Sequence, residues 1–316
     1  MVRRLHKQHT IVKLCQALEV SRSGYYAYLA QKTGKRIQQE TAIRRAILSS
    51  HIAAPSYGVD NIHADVRAQM VCGRNRIRRL MRQMGICSCR KRTYRMTTTN
   101  SQHEYAVAPN LIKGLEVTHP NQVWVGDITY IPTHEGYLYL AIVKDKFTRE
   151  IVGYSYGDQI TSLLVQQALL MALGKRKPPP GLLHHSDRGV QYCCHDFRRL
   201  LRAHDLTASM SRKGNPYDNA HAENFFSCLK SERLSLQQFN SRRQAGLAAF
   251  EYIEGFYNTR RRHSALGRIP PAQFYRNFVA THGVGLSGVS ESTRLADTRR
   301  KVDKVSMDNH RILTRY

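Results

Sequence analysis

The chain has 316 residues, enough for two or three small domains, and its 41% hydrophobic content excludes a disordered polymer. A formal net charge of +26 calls for a polyanionic partner, and nucleic acid is the usual one. No run approaches the ~18 consecutive apolar residues of a membrane span, and residues 1–10 are basic and polar without an apolar run, so a cytoplasmic protein with no membrane partner is expected.

The part to about Val117 is the more basic, with 21 Lys and Arg against 6 Asp and Glu. Helical spacing is seen around Thr10 to Leu29, Ile43 to Ile52 and Asn61 to Met84. In the last of these Ile77, Leu80, Met81 and Met84 form a one-sided apolar stripe. Arg74, Arg76, Arg78, Arg79 and Arg82 fall between them, the pattern of a helix that lays arginines on phosphates, within a helix-turn-helix, or of a solvated basic face. A basic linker follows at Arg90 to Arg95, then a polar run from Thr97 to Gln102.

From Pro120 the pattern changes. Val123 to Ile131 reads as a central strand, Tyr137 to Val143 as a second, Lys144 to Arg149 as a turn and Glu150 to Tyr156 as a third strand. Ser162 to Leu173 reads as a helix stopped by Gly174 and three prolines. A strand at Leu182 to His185, a helix at Tyr192 to His204, a strand at Leu206 to Ser211 and a helix at Asp218 to Leu234 complete a mixed α/β sheet with helices packed on it. Arg242 to Asn258 is a further helix. The segments divide into a basic helical N-terminal region (1–117), an α/β core with C-terminal helices (118–280) and a tail rich in Gly, Ser, Thr and charge (281–316). The seven cysteines are scattered; neither Cys87 with Cys89 nor Cys193 with Cys194 has the spacing of a zinc site, and free thiols are expected.

Three acids stand out by context. Asp127 interrupts an apolar strand, where a carboxylate is costly unless a cation neutralises it. Asp187 follows a short strand, at the end where α/β sheets place their sites. Glu223 lies near the start of the last core helix. Each has an ordinary alternative: a buried ion pair, a turn cap and a surface acid. Their joint placement on a strand, a strand end and a helix of one fold points instead to Mg²⁺, a hard ion that suits carboxylate oxygens. Two such ions roughly 3.5–4 Å apart activate the attacking oxygen and stabilise the leaving oxygen of an in-line phosphodiester displacement.

The words around these acids are Trp124-Val125-Gly126-Asp127-Ile128-Thr129-Tyr130, His185-Ser186-Asp187-Arg188-Gly189-Val190-Gln191-Tyr192 and Gly214-Asn215-Pro216-Tyr217-Asp218-Asn219-Ala220. A later word is Tyr257-Asn258-Thr259-Arg260-Arg261-Arg262-His263-Ser264-Ala265-Leu266, 35 residues separate Asp187 from Glu223, and Lys230 follows Glu223 by seven. In all of this, from about Val20 to Phe278, the chain resembles the OrfB transposases of bacterial insertion sequences with two overlapping reading frames, within the retroviral-integrase superfamily.

The resemblance implies an RNase H-like core and a DDE transposase that cuts DNA at terminal inverted repeats, frees a 3′-OH and transfers the strand, first to join the element's ends and later into target DNA. Asp127, Asp187 and Glu223 would be both catalytic residues and metal ligands for two Mg²⁺ ions, with Mn²⁺ as a substitute. It implies a homo-oligomer on DNA, a nucleoid-associated protein, and the product of an upstream overlapping frame as a partner. Lys230 shares the helical face of Glu223 and would contact a phosphate beside it. Arg212, Lys213, Arg78, Arg79, Arg260 and Arg261 are further candidate DNA contacts. Two other readings remain open: a purely hydrolytic RNase H-like nuclease, and a non-catalytic DNA-binding regulator derived from a transposase, which has no need to keep all three acids.

Overall fold

A computed structural model describes residues 9–33, 35–89, 105–212 and 220–282. The linker expected at Arg90 to Arg95, Lys213, the 214–219 turn and the chain beyond His282 lie outside them.

The N-terminal residues form α1 (Ile11–Ala17), α2 (Arg22–Thr33), α3 (Lys35–Ala53), α4 (Val59–Arg67) and α5 (Arg74–Gln83). Two stretches read as single helical segments are each split. The first breaks where Glu19 turns to a positive φ of 52°. The second breaks before Gly73, whose extended backbone (φ −84°, ψ 147°) caps α5. The apolar stripe is preserved across the break. Ile62 and Val66 of α4 meet Ile77, Leu80 and Met81 of α5, with Ile43 and Ile47 of α3, in one buried core. Arg78, Arg79 and Arg82 are left exposed.

The second unit is built on a five-stranded sheet of order β3-β2-β1-β4-β5. Its strands are β1 (Val123–Thr133), β2 (Gly136–Asp145), β3 (Ile151–Gly157), β4 (Leu183–Ser186) and β5 (Thr207–Met210). β1 pairs antiparallel with β2 and β2 with β3, while β4 runs parallel to both β1 and β5. The expected turn at Lys144 is corrected: Lys144 and Asp145 end β2, and both are buried.

Alternation along β1 sends its side chains to two cores. Val123, Val125 and Ile131 face α9 (Ala220–Glu232) and α10 (Arg242–Phe250), while Trp124 faces α6 (Ser162–Arg176), α7 (Val190–Cys193) and α8 (His195–Ala203). Helix α6 sits so close to β3 that a Cβ at Gly153 would lie 2.2 Å from the Ala168 carbonyl oxygen, so only glycine fits there. After α10 the helix widens into a π-helical segment (Glu251–Tyr257), and α11 (Pro271–His282), which was not anticipated, ends the described chain.

The two units meet through the C-terminal arm. Phe256 packs against both the helical core and the sheet core. The Tyr57 hydroxyl donates to the Arg260 carbonyl (3.2 Å) and accepts from the Arg262 amide (2.8 Å). Arg262 also donates to Asp65 of α4. Among the described residues no helix is long and apolar enough to cross a membrane, and all seven cysteines are free.

Candidate active site

Strand register places the first two acids. β1 and β4 pair Val125 with His185. Asp127 thus lies in the middle of β1, two residues past the last paired position, and Asp187 lies just past the end of β4, two residues beyond its partner position. By alternation Asp127 lies on the face of Val123 and Val125, which α9 covers, and α9 carries Glu223 in its first turn.

Local hydrogen bonds hold the two aspartates. Asp127 accepts from the Ile128 amide (2.8 Å) and Asp187 from the Gly189 amide (2.9 Å), in the tight turn that leads into α7. The turn-cap role foreseen as the ordinary alternative for Asp187 is therefore real, and it fixes the carboxylate rather than removing it from the site. Burial, and then the charge of Asp187, hold the Asp127 carboxyl well above the usual carboxylate range, and Glu223 pushes the same way. The Ile128 amide and Lys230 oppose the rise. So Asp187, Glu223 and Lys230 all bear on the buried Asp127 carboxyl.

Among the described residues no three His, Cys, Asp or Glu side chains stand close enough together to enclose a metal ion. By type the donors fit a hard divalent cation, since all are carboxylate oxygens, and the proton affinity forced on Asp127 is what a cation there would relieve.

Two buried polar groups that were not singled out as site residues lie behind Asp127. The His184 Nε2 and the Tyr192 hydroxyl have no hydrogen-bond partner among the described residues. Their rings meet Phe197 edge-on at 5.2 and 5.4 Å. A Cβ at Gly126 would come within 3.0 Å of the His184 ring and 3.2 Å of the Tyr192 ring, so glycine lets both approach the backbone beside Asp127. Burial, then His185, holds His184 at a pKa of about 3, so it stays neutral. His185 is packed, as a strand histidine commonly is: its Nδ1 and Nε2 lie 2.9 and 3.1 Å from the hydroxyls of Ser209 and Ser211. The signal for Tyr192 was its place at the end of the Asp187 word; nothing in the sequence marks which face a strand histidine takes.

The candidate DNA contacts separate. Lys230 is half-buried with its ammonium 4.7 Å from the Tyr130 ring centroid. Arg212, Arg78 and Arg260 are exposed, and so is Arg79, 3.6 Å from Glu40. Arg261 is a correction: it is only 7% exposed and donates to both oxygens of Glu232, so it is an internal strut and not a surface contact.

Comparison with known proteins agrees with this architecture. An integrase core domain matches residues 117–216, a second integrase core model matches 204–271, and an HTH-like domain matches 38–94. The insertion element IS600 31 kDa protein of Shigella sonnei is 45% identical over 84% of this chain and 98% of its own length. The chain belongs to the insertion-sequence transposases. The IS904 transposase of Lactococcus lactis is 40% identical over 73% of this chain and 94% of its own. The transposase InsF of IS3A from Escherichia coli K12 is 37% identical over 84% and 94%. Solved integrase structures are more remote. The catalytic core of BIV integrase covers 51% of this transposase and 97% of that chain at 18% identity and a TM-score of 0.39. The HTLV-2 core in complex with magnesium covers 49% and 97% at 17% identity and 0.40. The transposase thus joins an HTH-like DNA-binding unit to an integrase-type catalytic core, and it is a polynucleotidyl transferase.

Proposed function

We propose that this transposase cuts and joins DNA at the terminal inverted repeats of an insertion element through Asp127, Asp187 and Glu223. The observation that supports this reading is the parallel pairing of β1 with β4, which brings the strand of Asp127 beside the strand that ends just before Asp187, under the helix bearing Glu223. Asp127 and Asp187 would share a first divalent cation, and Asp187 or Asp127 with Glu223 a second. Two Mg²⁺ ions, or Mn²⁺ in their place, would supply Lewis acidity at the attacking and leaving oxygens.

The chain's own residues do the rest. The Ile128 and Gly189 amides each donate to one carboxylate oxygen of an aspartate and so fix the two carboxylates. Lys230, on the Glu223 face of α9, meets a backbone phosphate next to the scissile bond. No serine, tyrosine or cysteine nucleophile is needed, because water and then a 3′-OH attack the phosphorus directly. Arg78, Arg79, Arg212, Lys213 and Arg260 contribute phosphate contacts that set register on the duplex. Joining two ends requires at least two active sites on DNA, hence a homo-oligomer, with the product of an upstream frame as an additional partner and the nucleoid as its place of work.

The test is a nicking and joining assay on element-end duplex. Asp127→Asn, Asp187→Asn and Glu223→Gln should each abolish both steps in Mg²⁺ while DNA binding persists. A variant that kept near-normal strand transfer would remove its residue from the assignment.

A further inference from the structure

The segment from Arg261 to Ala265 lines a cleft that also meets Asn224 and Cys228 of α9. This cavity of about 770 Å³ lies between the two units of the fold. The wall from the helical unit includes Asp60 and Asn61, the sheet unit brings Lys144 and Arg149, and the C-terminal arm brings Arg261, Arg262, His263 and Arg268. Five cations therefore line it against a single lining acid, Asp60. Two more acids stand behind the lining, Asp65 on Arg262 and Glu232 on Arg261, while Arg268 reaches Asp60 at 3.6 Å. Asp145, buried at the end of β2, bears on Arg149 in the same way.

Two details show that this wall is arranged toward a ligand. The His263 ring is 9% exposed, stands edge-on to Tyr257 at 4.9 Å, and its Nε2 has no hydrogen-bond partner among the described residues. Buried polar atoms without partners are uncommon and ask for an explanation. Arg149 sits at a φ of 64°, a left-handed backbone that costs a non-glycine residue energy and that clusters at functional positions. The groups also work against one another. Burial, then Arg149, lowers the Lys144 pKa to about 7, and burial followed by Arg261, Lys144 and Arg149 keeps His263 neutral. An anion placed among them would offset the repulsion between these groups, though not the burial that comes first.

We propose that this cleft is a phosphate subsite for the DNA backbone, in which Lys144, Arg149 and the Nε2–H of His263 hold the nonbridging oxygens of one phosphodiester. Guanidinium and ammonium donors converging on one volume match phosphate geometry. The cleft adjoins the HTH-like unit through Asp60 and Asn61. The subsite rests on DNA being the substrate, and not on which residues cut.

The test is the salt dependence of duplex binding by the full chain without divalent metal, read by fluorescence anisotropy. Arg149→Gly removes the charge and relaxes the left-handed backbone, so it should keep or raise Tm while lowering the slope of log K against log salt by about one phosphate contact. Lys144→Met should lower the slope similarly. Arg199→Gln, at an arginine whose side chain is 77% exposed, is the control for loss of surface charge and should change the slope less. If Arg149→Gly folds and keeps the wild-type slope, the subsite is wrong. A second arm titrates inorganic phosphate against Tm. Stabilisation that Lys144→Met abolishes, with an unchanged DNA slope, would make this a pocket for free phosphate and overturn the proposal. Because the readout is binding without metal, its failure leaves the carboxylate assignment untouched, and failure of that assignment leaves this one standing.

Discussion

Arg261 grips Glu232 with a two-pronged hydrogen bond, Nε and Nη2 reaching the two carboxylate oxygens at 2.9 and 2.8 Å. Both side chains are nearly out of solvent, and Tyr252 adds a third bond to Glu232 at 2.7 Å. The pair ties the C-terminal arm to the far end of α9, the helix that presents Glu223 and Lys230. Glu232→Gln keeps the shape and strands a buried guanidinium, so it should destabilise the transposase by about 3–5 kcal/mol, measured by denaturant unfolding. Replacing both partners, Glu232→Leu with Arg261→Met, should recover much of that loss. If the single change cost nothing, the pair would not be holding the arm.

Metal binding should be visible in stability as well as in activity. Without a cation, Asp127 carries a carboxyl that burial, Asp187 and Glu223 all disfavour in its charged form. Asp127→Asn should therefore raise Tm in a chelator, while Mg²⁺ should raise the Tm of the wild type and much less that of the variant. Calorimetry with and without Mg²⁺ checks both halves. A wild-type Tm indifferent to Mg²⁺ would count against a metal site here.

Lys144 gives a pH dependence of definite sign. Its folded pKa is lowered to about 7 from 10.5, with burial as the main cause and Arg149 next. Below pH 7 both states carry the proton and the folded state bears the full penalty. Between pH 7 and about 10 the unfolded chain still binds the proton that the folded chain has released, so this group makes stability rise with pH. Lys144→Met should be more stable than wild type at pH 6, with the difference shrinking towards pH 10. Chemical denaturation at several pH values reads it, and a pH-independent difference would contradict it.

The hydroxyl of Tyr57 links residues more than two hundred positions apart, accepting from Arg262 and donating to Arg260. Tyr57→Phe leaves the Arg262 amide without that acceptor and should cost about 1–3 kcal/mol. Because this bond joins the HTH-like unit to the core, the change should also speed proteolytic separation of the two units. Unaltered proteolysis would show that Phe256 packing and the Arg262 and Arg268 links hold them without this hydroxyl.

Much of the transposase was legible from one chain because local chemistry determines it. The apolar strand around Asp127, the short strand before Asp187 and the helix carrying Glu223 and Lys230 stand in the fold as read, since each depends on neighbours a few residues away. The helix breaks at Glu19 and before Gly73 were missed because helical periodicity persists across a short turn when both helices face one core. The burial of Lys144 and the loss of Arg261 to Glu232 were invisible for a different reason. A basic residue in sequence looks the same whether it meets solvent, DNA or a distant carboxylate, and only the packing of the C-terminal arm between sheet and helical unit decides which. The sequence by itself therefore determined the chemical kind of this protein, three hard acids in a basic DNA-handling chain. The tertiary structure alone decided which strands pair, which arginines are internal struts and which basic side chains line a cleft between the units, because strand register and inter-unit packing join residues that no local pattern connects.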